Sequence, residues 1–237
     1  MGPSAIAALN EAVRDPSASE DARMHSTVAL LLHDWRGAAP DLIDGLASGE
    51  IVESRDVRFM LGMHVPQLDA ADKADYLALI GEDVGLAVVG VWSMEPQDAS
   101  ATLDAVGHDR LSGPPRDLVA LRAGGDDALA AGERLLALDV DGPERASLET
   151  VVFKSWLRTD AALDGRFIAL AESRFERRST DPDRFWTLLA ADLDQLDDAH
   201  VMGGVLPFLE RSRGEASGAR AALAARVSAR FGGLHLD

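Results

Sequence analysis

His33 and Asp34 stand side by side after the apolar run Leu30-Leu31-Leu32, an imidazole beside a carboxylate, and both are ligands for a divalent metal. Such a centre needs further ligands from a second helix. The earlier histidine, His25, lies eight residues away on the same helix. With about 100° of turn per residue and the apolar stripe running through Leu31 and Trp35, the pair points to solvent. The acidic pairs Asp126-Asp127, Asp192 with Asp194, and Asp197-Asp198 could share acid–base work or hold a metal. Among 40 acidic residues such pairs arise without purpose, and the 192–198 run reads as a solvated helix face and loop. His64, on the inner side of its helix, reads as a hydrogen-bonded core residue; His108, His200 and His235 are isolated. The chain has no H-E-x-x-H pair, no Gly-rich phosphate loop and no G-x-S-x-G elbow. Without cysteine it has no thiolate nucleophile and no Cys-based metal site. No catalytic residue, cofactor or metal is therefore expected. Cations gather in one place, at Arg174, Arg177 and Arg178, with Arg211 and Arg213 later. Arg174 and Arg178, four apart on a helix, could receive a carboxylate or phosphate in forked geometry, or could pair with Glu172, Glu176 and Asp181 beside them.

The elements that would position these groups read as helices. Ile6, Leu9 and Val13 give a short first helix over 4–14. Met24, Val28, Leu31, Leu32 and Trp35 form the buried stripe of a second, which Gly37 and Pro40 end, and Asp41–Ser48 makes a short third. Val84–Met94 is apolar nearly all round; helix is expected over buried strand because its neighbours offer no partner strands. Gly113-Pro114-Pro115 and Gly124-Gly125 punctuate 107–125, where a single helical domain spanning 1–237 could break into two parts. Beyond lie helices at 126–138, at 143–158 burying Leu148, Val151, Val152 and Trp156, and at 160–178 burying Leu163, Phe167, Ile168 and Phe175. Asp181-Pro182 starts another, Pro207 breaks 201–209, and the last helix ends at Gly232-Gly233. The expected fold is all-α, with about 12–14 helices in pairs.

Composition agrees. Apolar residues make up 47% and aromatics 5%, so the core is mostly Ala, Leu and Val, the filling of closely packed helices. Net charge is −17, with 19 acids against 7 Lys/Arg in residues 1–110 and 21 against 16 in 111–237. An acidic chain repels phosphate backbones, so nucleic acid is not the expected partner. No apolar run reaches the ~20 residues that span a bilayer, and the N-terminus lacks the basic and apolar parts of a secretory signal, so a cytoplasmic protein is expected.

Residues 54–109 say one thing twice. Asp56-Val57-Arg58 opens Phe59-Met60-Leu61-Gly62-Met63, and 27 positions later Asp83-Val84-Gly85 opens Leu86-Ala87-Val88-Val89-Gly90-Val91. Asp21-Ala22-Arg23, leading to Val28-Ala29-Leu30, is a fainter copy 35 positions upstream. Helix pairs whose second member opens with Asp-Val-Arg resemble HEAT repeats. That resemblance implies a right-handed stack of antiparallel helix pairs, an α-solenoid. It also implies a structural ladder in which Asp21, Arg23, Asp56, Arg58 and Asp83 bond across successive repeats. Gly85 replaces the arginine of the third copy, the spacings are shorter than the ~40 residues of HEAT, and the motif is not found after residue 110. His33-Asp34 is similar to the metal-binding pair of the HD phosphohydrolases, without that family's earlier histidine on another helix.

Two functions are expected from this. The first is a non-catalytic helical-repeat module that binds another protein, such as one with a basic segment, on an acidic face, as a scaffold, adaptor or immunity-type inhibitor. The second is an all-α enzyme with carboxylates and arginines lining a pocket between its halves, either HD-like or similar to the HEAT-like DNA glycosylases.

Overall fold

Polar side chains begin many of the helices by accepting a backbone N–H of the first turn, which would otherwise have no partner. Ser19 takes the N–H of Ala22, Ser54 that of Val57, Asp69 those of Ala71 and Asp72, and Asp83 that of Leu86; Asp197 and Ser217 take those of His200 and Arg220. The structure, a computed structural model, describes residues 2–92, 94–106, 111–125, 127–158, 165–176, 182–232, 234 and 236. In chain order the helices are α1 (Pro3–Arg14), α2 (Glu20–Ser48), α3 (Arg55–Gly62), α4 (Ala70–Ile80), α5 (Val84–Val91), α6 (Pro96–Val106), α7 (Gly113–Ala123), α8 (Asp127–Leu136), α9 (Gly142–Leu157), α10 (Gly165–Glu176), α11 (Pro182–Ala191), α12 (Asp198–Gly204), α13 (Leu206–Arg211) and α14 (Gly218–Phe231). Among the described residues, two 3₁₀ turns, Val65–Gln67 and Leu193–Gln195, lie between them. Among the described residues there is no strand, so the all-α expectation holds. No described helix is long and apolar enough to cross a membrane.

The packing divides the chain into two units, 1–148 and 149–237, and the division falls within α9. Residues 113–123, from the stretch expected to hold a break, form α7 inside the first unit; 107–110 lie outside the described residues. In the first unit α1 packs on α2, and α2 on α3 and α4. Beyond these, α3 packs on α5, α4 on α6 and α5 on α7, so helices meet their next-but-one neighbours in the chain.

The α2 stripe differs from expectation by one position. Arg23, Thr27, Leu30 and Leu31 are buried, while Leu32 is 79% exposed. Reading by hydrophobicity alone chose Met24, Val28 and Leu32; the fold instead buries the polar Arg23, Ser26 and Thr27 beside Leu30 and Leu31, and two of the three bond to nearby carbonyls. Thr27 Oγ1 donates to the Arg23 carbonyl at 2.9 Å, and Arg23 Nη1 to that of Ala18 at 2.5 Å. The helix breaks at Asp34, not at Gly37. Asp34 has extended backbone (φ −153°, ψ 80°), and its carboxylate accepts the Gly37 N–H at 3.2 Å. It thus caps the second half of α2, which runs through Pro40 to Ser48.

Tyr76 anchors the middle of the first unit. It is fully buried on α4, and its hydroxyl donates to the Arg58 carbonyl on α3 at 2.8 Å. Burial pushes its phenol above the ordinary value; the nearby Arg58 charge only partly offsets this. A Cβ on Gly62 would lie 2.5 Å from the Tyr76 hydroxyl and 3.1 Å from Val89 Cγ1, so glycine there lets α3 close on α4 and α5.

The second unit has an aromatic core. Phe153, Phe167, Phe175, Phe185, Trp186 and Phe208 are buried, and neighbouring rings meet at centroid distances of 5.0–6.3 Å. Ile168, expected inside, is 42% exposed. Leu163 lies outside the described residues. Pro207 separates α12 from α13 as expected, the break falling at Val205. The buried Arg220 of α14 donates to Ser212 Oγ and to the carbonyls of Leu209 and Leu236, which ties the chain end to α13 and α14.

Candidate functional site, a cleft between α3, α5 and the start of α9

Helices α3 and α5 run in the same direction. At their N-terminal ends Arg55 meets Asp83, and towards their C-terminal ends Gly62 lies against Val89. The first turn of α9 closes the third side of a cleft of about 650 Å³ in the first unit. Its floor is apolar, from Phe59 on α3 and Leu86, Val88 and Val89 on α5; Phe59 is 44% exposed. Its rim is charged, with Asp56, Asp141 and Glu144 around Arg55.

The rim is ordered by one guanidinium. Arg55 Nε donates to Asp83 Oδ2 at 3.0 Å, and its Nη2 to Asp83 Oδ1 and Glu144 Oε1, each at 3.3 Å. The cleft lining thus sets the carboxylates of Asp56, Asp141 and Glu144 around Arg55, which Asp83, just outside that lining, holds in place. Partial burial alone would raise the Asp83 carboxyl. Hydrogen bonds from Arg55 and from the Leu86 and Gly85 N–H groups outweigh it and hold that carboxyl below its ordinary value. The bond to Asp83, with its charge, raises Arg55 in turn. At Gly85 an added Cβ would come within 3.1 Å of Arg55 Nη2 and 3.3 Å of Glu144 Oε1. Glycine at position 85 therefore makes room for this ion triad.

Of the five residues expected to form a ladder, Asp83 bonds to the preceding helix start through Arg55. Asp21 and Asp56 occupy the same position, two residues after the capping serines Ser19 and Ser54, so the 35-residue step matches in cap geometry. Asp83 is itself the cap of α5, and the 27-residue step is two positions out of that register. Arg23 turns to the Ala18 carbonyl, and Arg58 pairs with Glu53 at 3.3 Å. The bonds that join successive helix starts are Ser54 Oγ to Glu20 Oε1 at 3.1 Å and Arg55 to Asp83. Sequence reading missed Arg55, although it stands 28 residues before Asp83, close to one repeat length.

Of the arginine cluster, Arg177 and Arg178 lie outside the described residues. Arg174 is engaged within the second unit: it donates to Thr150 Oγ1 at 3.0 Å, lies 3.6 Å from Glu149 and stacks over the Phe153 ring at 5.4 Å. Arg211 pairs with Glu172 and lies over Phe175. The acidic run 192–198 is not uniformly solvated. Asp192 is 2% exposed and pairs with Arg158, with Lys154 Nζ at 3.9 Å. Asp194 and Asp198 face Arg226 and Arg230 of α14, at 2.9 and 2.8 Å. Nothing in the local pattern marks Asp192, since its cations come from α9 and the residue that follows it.

His33 and Asp34 are both exposed, and among the described residues no three His, Asp or Glu side chains converge as a metal would require. His64 is half-buried, and its Nδ1 makes no hydrogen bond, contrary to the expected bonded core histidine. Asp126, His108 and His235 lie outside the described residues. Compared with known proteins, the chain matches no family, no curated protein and no solved structure.

Proposed function

We propose that this chain is a non-catalytic protein-binding module that takes a basic, amphipathic segment of a partner protein into the cleft between α3, α5 and the start of α9. The observation that carries the reading is the juxtaposition of an exposed aromatic floor, Phe59, with a rim of carboxylates in a chain of net charge −17. An apolar groove buries the hydrophobic face of such a segment, and the surrounding acids select Lys or Arg at its edges and speed its approach. The contacts of α2 with α4 and α4 with α6, and of α3 with α5 and α5 with α7, support a HEAT-like reading of the first unit: two rows of helices in a right-handed stack of antiparallel pairs.

The test is calorimetric titration of the full chain with a short amphipathic peptide of Leu and Arg, beside the same peptide with Glu in place of Arg. The Arg peptide binds, the Glu peptide does not, and Phe59→Ser weakens binding about tenfold or more, the loss of a central apolar anchor. Equal binding of both peptides, or binding indifferent to Phe59, contradicts the reading.

A further inference from the structure

We infer that Arg55 is an internal occupant of this cleft, seated on the Asp83–Glu144 carboxylate pair that the partner's own arginine takes when it docks. The inference rests on the docking reading above and names what the partner must displace. Three observations carry it. The carboxylate of Asp83 is held in place without Arg55, because it also caps α5 through the Leu86 N–H at 3.0 Å. The carboxylates of Asp83 and Glu144 lie over the first turn of α5, where Gly85 presents no side chain, so a guanidinium from outside can approach them. Arg55 itself is 64% exposed along its side chain, and an ion pair so open to water is held weakly enough to exchange. The planar, forked donors that Arg55 presents to Asp83 define the incoming group as arginine in preference to lysine, whose ammonium cannot reproduce the two parallel bonds. Phe59, lining the same cleft, receives the apolar neighbour of that arginine. No covalent step is involved: one guanidinium replaces another, and the released Arg55 moves into solvent.

The experiment compares Arg55→Gln with Arg134→Gln in the full chain. Arg134 also makes an exposed, forked pair, with Asp117, and neither residue lines the cleft, so its loss changes net charge equally without opening the site. With the Leu/Arg peptide as probe, Arg55→Gln binds at least several-fold tighter than the parent and Arg134→Gln binds as the parent does; replacing Arg by Lys in the peptide reduces the gain. A second measurement follows the Arg55 Nε–H resonance of the parent chain during titration with the same peptide, which shifts it to the position of a free guanidinium. Binding that is unchanged or weaker in Arg55→Gln, an equal gain in Arg134→Gln, or a peptide that binds while the Arg55 resonance stays in place overturns the exchange and leaves the docking reading standing. Failure of the peptide to bind the parent and both variants removes the docking reading and this inference with it.

Discussion

Tyr76 passes beneath Gly62, its hydroxyl bonded to the Arg58 carbonyl at 2.8 Å in a space that a methyl group on residue 62 would fill. This pair sets how closely α3 approaches α4 and α5, and so sets the width of the cleft that α3 and α5 form. Gly62→Ala forces apart a backbone and a buried ring, at a cost of about 1–3 kcal/mol. Tyr76→Phe keeps the ring and removes one donor from the Arg58 carbonyl, at a cost of about 1 kcal/mol. Urea unfolding of the two variants distinguishes them: the larger loss is expected for Gly62→Ala, and only that variant is expected to change the exposure of Phe59 to quenchers.

Asp83→Ala removes both the cap of α5 and the partner of Arg55, at a cost of about 1–2 kcal/mol near neutral pH. The sign of its pH dependence follows from the direction of the shift. The folded Asp83 carboxyl lies below its ordinary value of 3.8. Its contribution is therefore complete above that value and is lost as the pH falls through the lower, folded one. Thermal midpoints of parent and variant are expected to converge below pH 3.8 and to stay separated above it. A gap that widens on acidification would contradict the assignment.

Asp34→Ala opens the kink of α2. The Gly37 N–H loses its acceptor and the second half of the helix loses its start, a cost of about 1 kcal/mol. His33→Ala, an exposed neighbour with no such role, is expected to change stability by less than about 0.5 kcal/mol. Equal effects would contradict the capping role.

Arg220→Met keeps volume and apolar contact while leaving the carbonyls of Leu209 and Leu236 and the Ser212 hydroxyl without their donor. With the site 3% exposed, a loss of about 2–4 kcal/mol is expected, read by chemical denaturation with aromatic fluorescence, since Trp186 lies in the same unit.

The sequence made the helices legible because their starts are local. Ser54 and Asp83 cap the segments that follow them, and the all-apolar Val84–Val91 has no strand partner to pair with. The buried faces were less legible where polar residues bond to nearby backbone carbonyls, as Thr27 does to Arg23 and Arg23 does to Ala18. The Asp-Ala-Arg at 21 and the Asp-Val-Arg at 56 mark helix starts, but the side chains that bond across are their neighbours Glu20, Ser54 and Arg55. Those roles depend on which helices become adjacent, and spacing along the chain does not carry that. The cleft depends on it too, since Glu144 comes to Arg55 from 89 residues away.

Hydrogen exchange of the full chain with and without the Leu/Arg peptide tests the docking claim most directly. Slower exchange is expected in 55–62, 84–91 and 142–147, the segments that wall the cleft, with the Glu-substituted peptide leaving all of them unchanged. Protection confined to other segments, or the same protection from the Glu peptide, would contradict the claim that this cleft receives a basic partner.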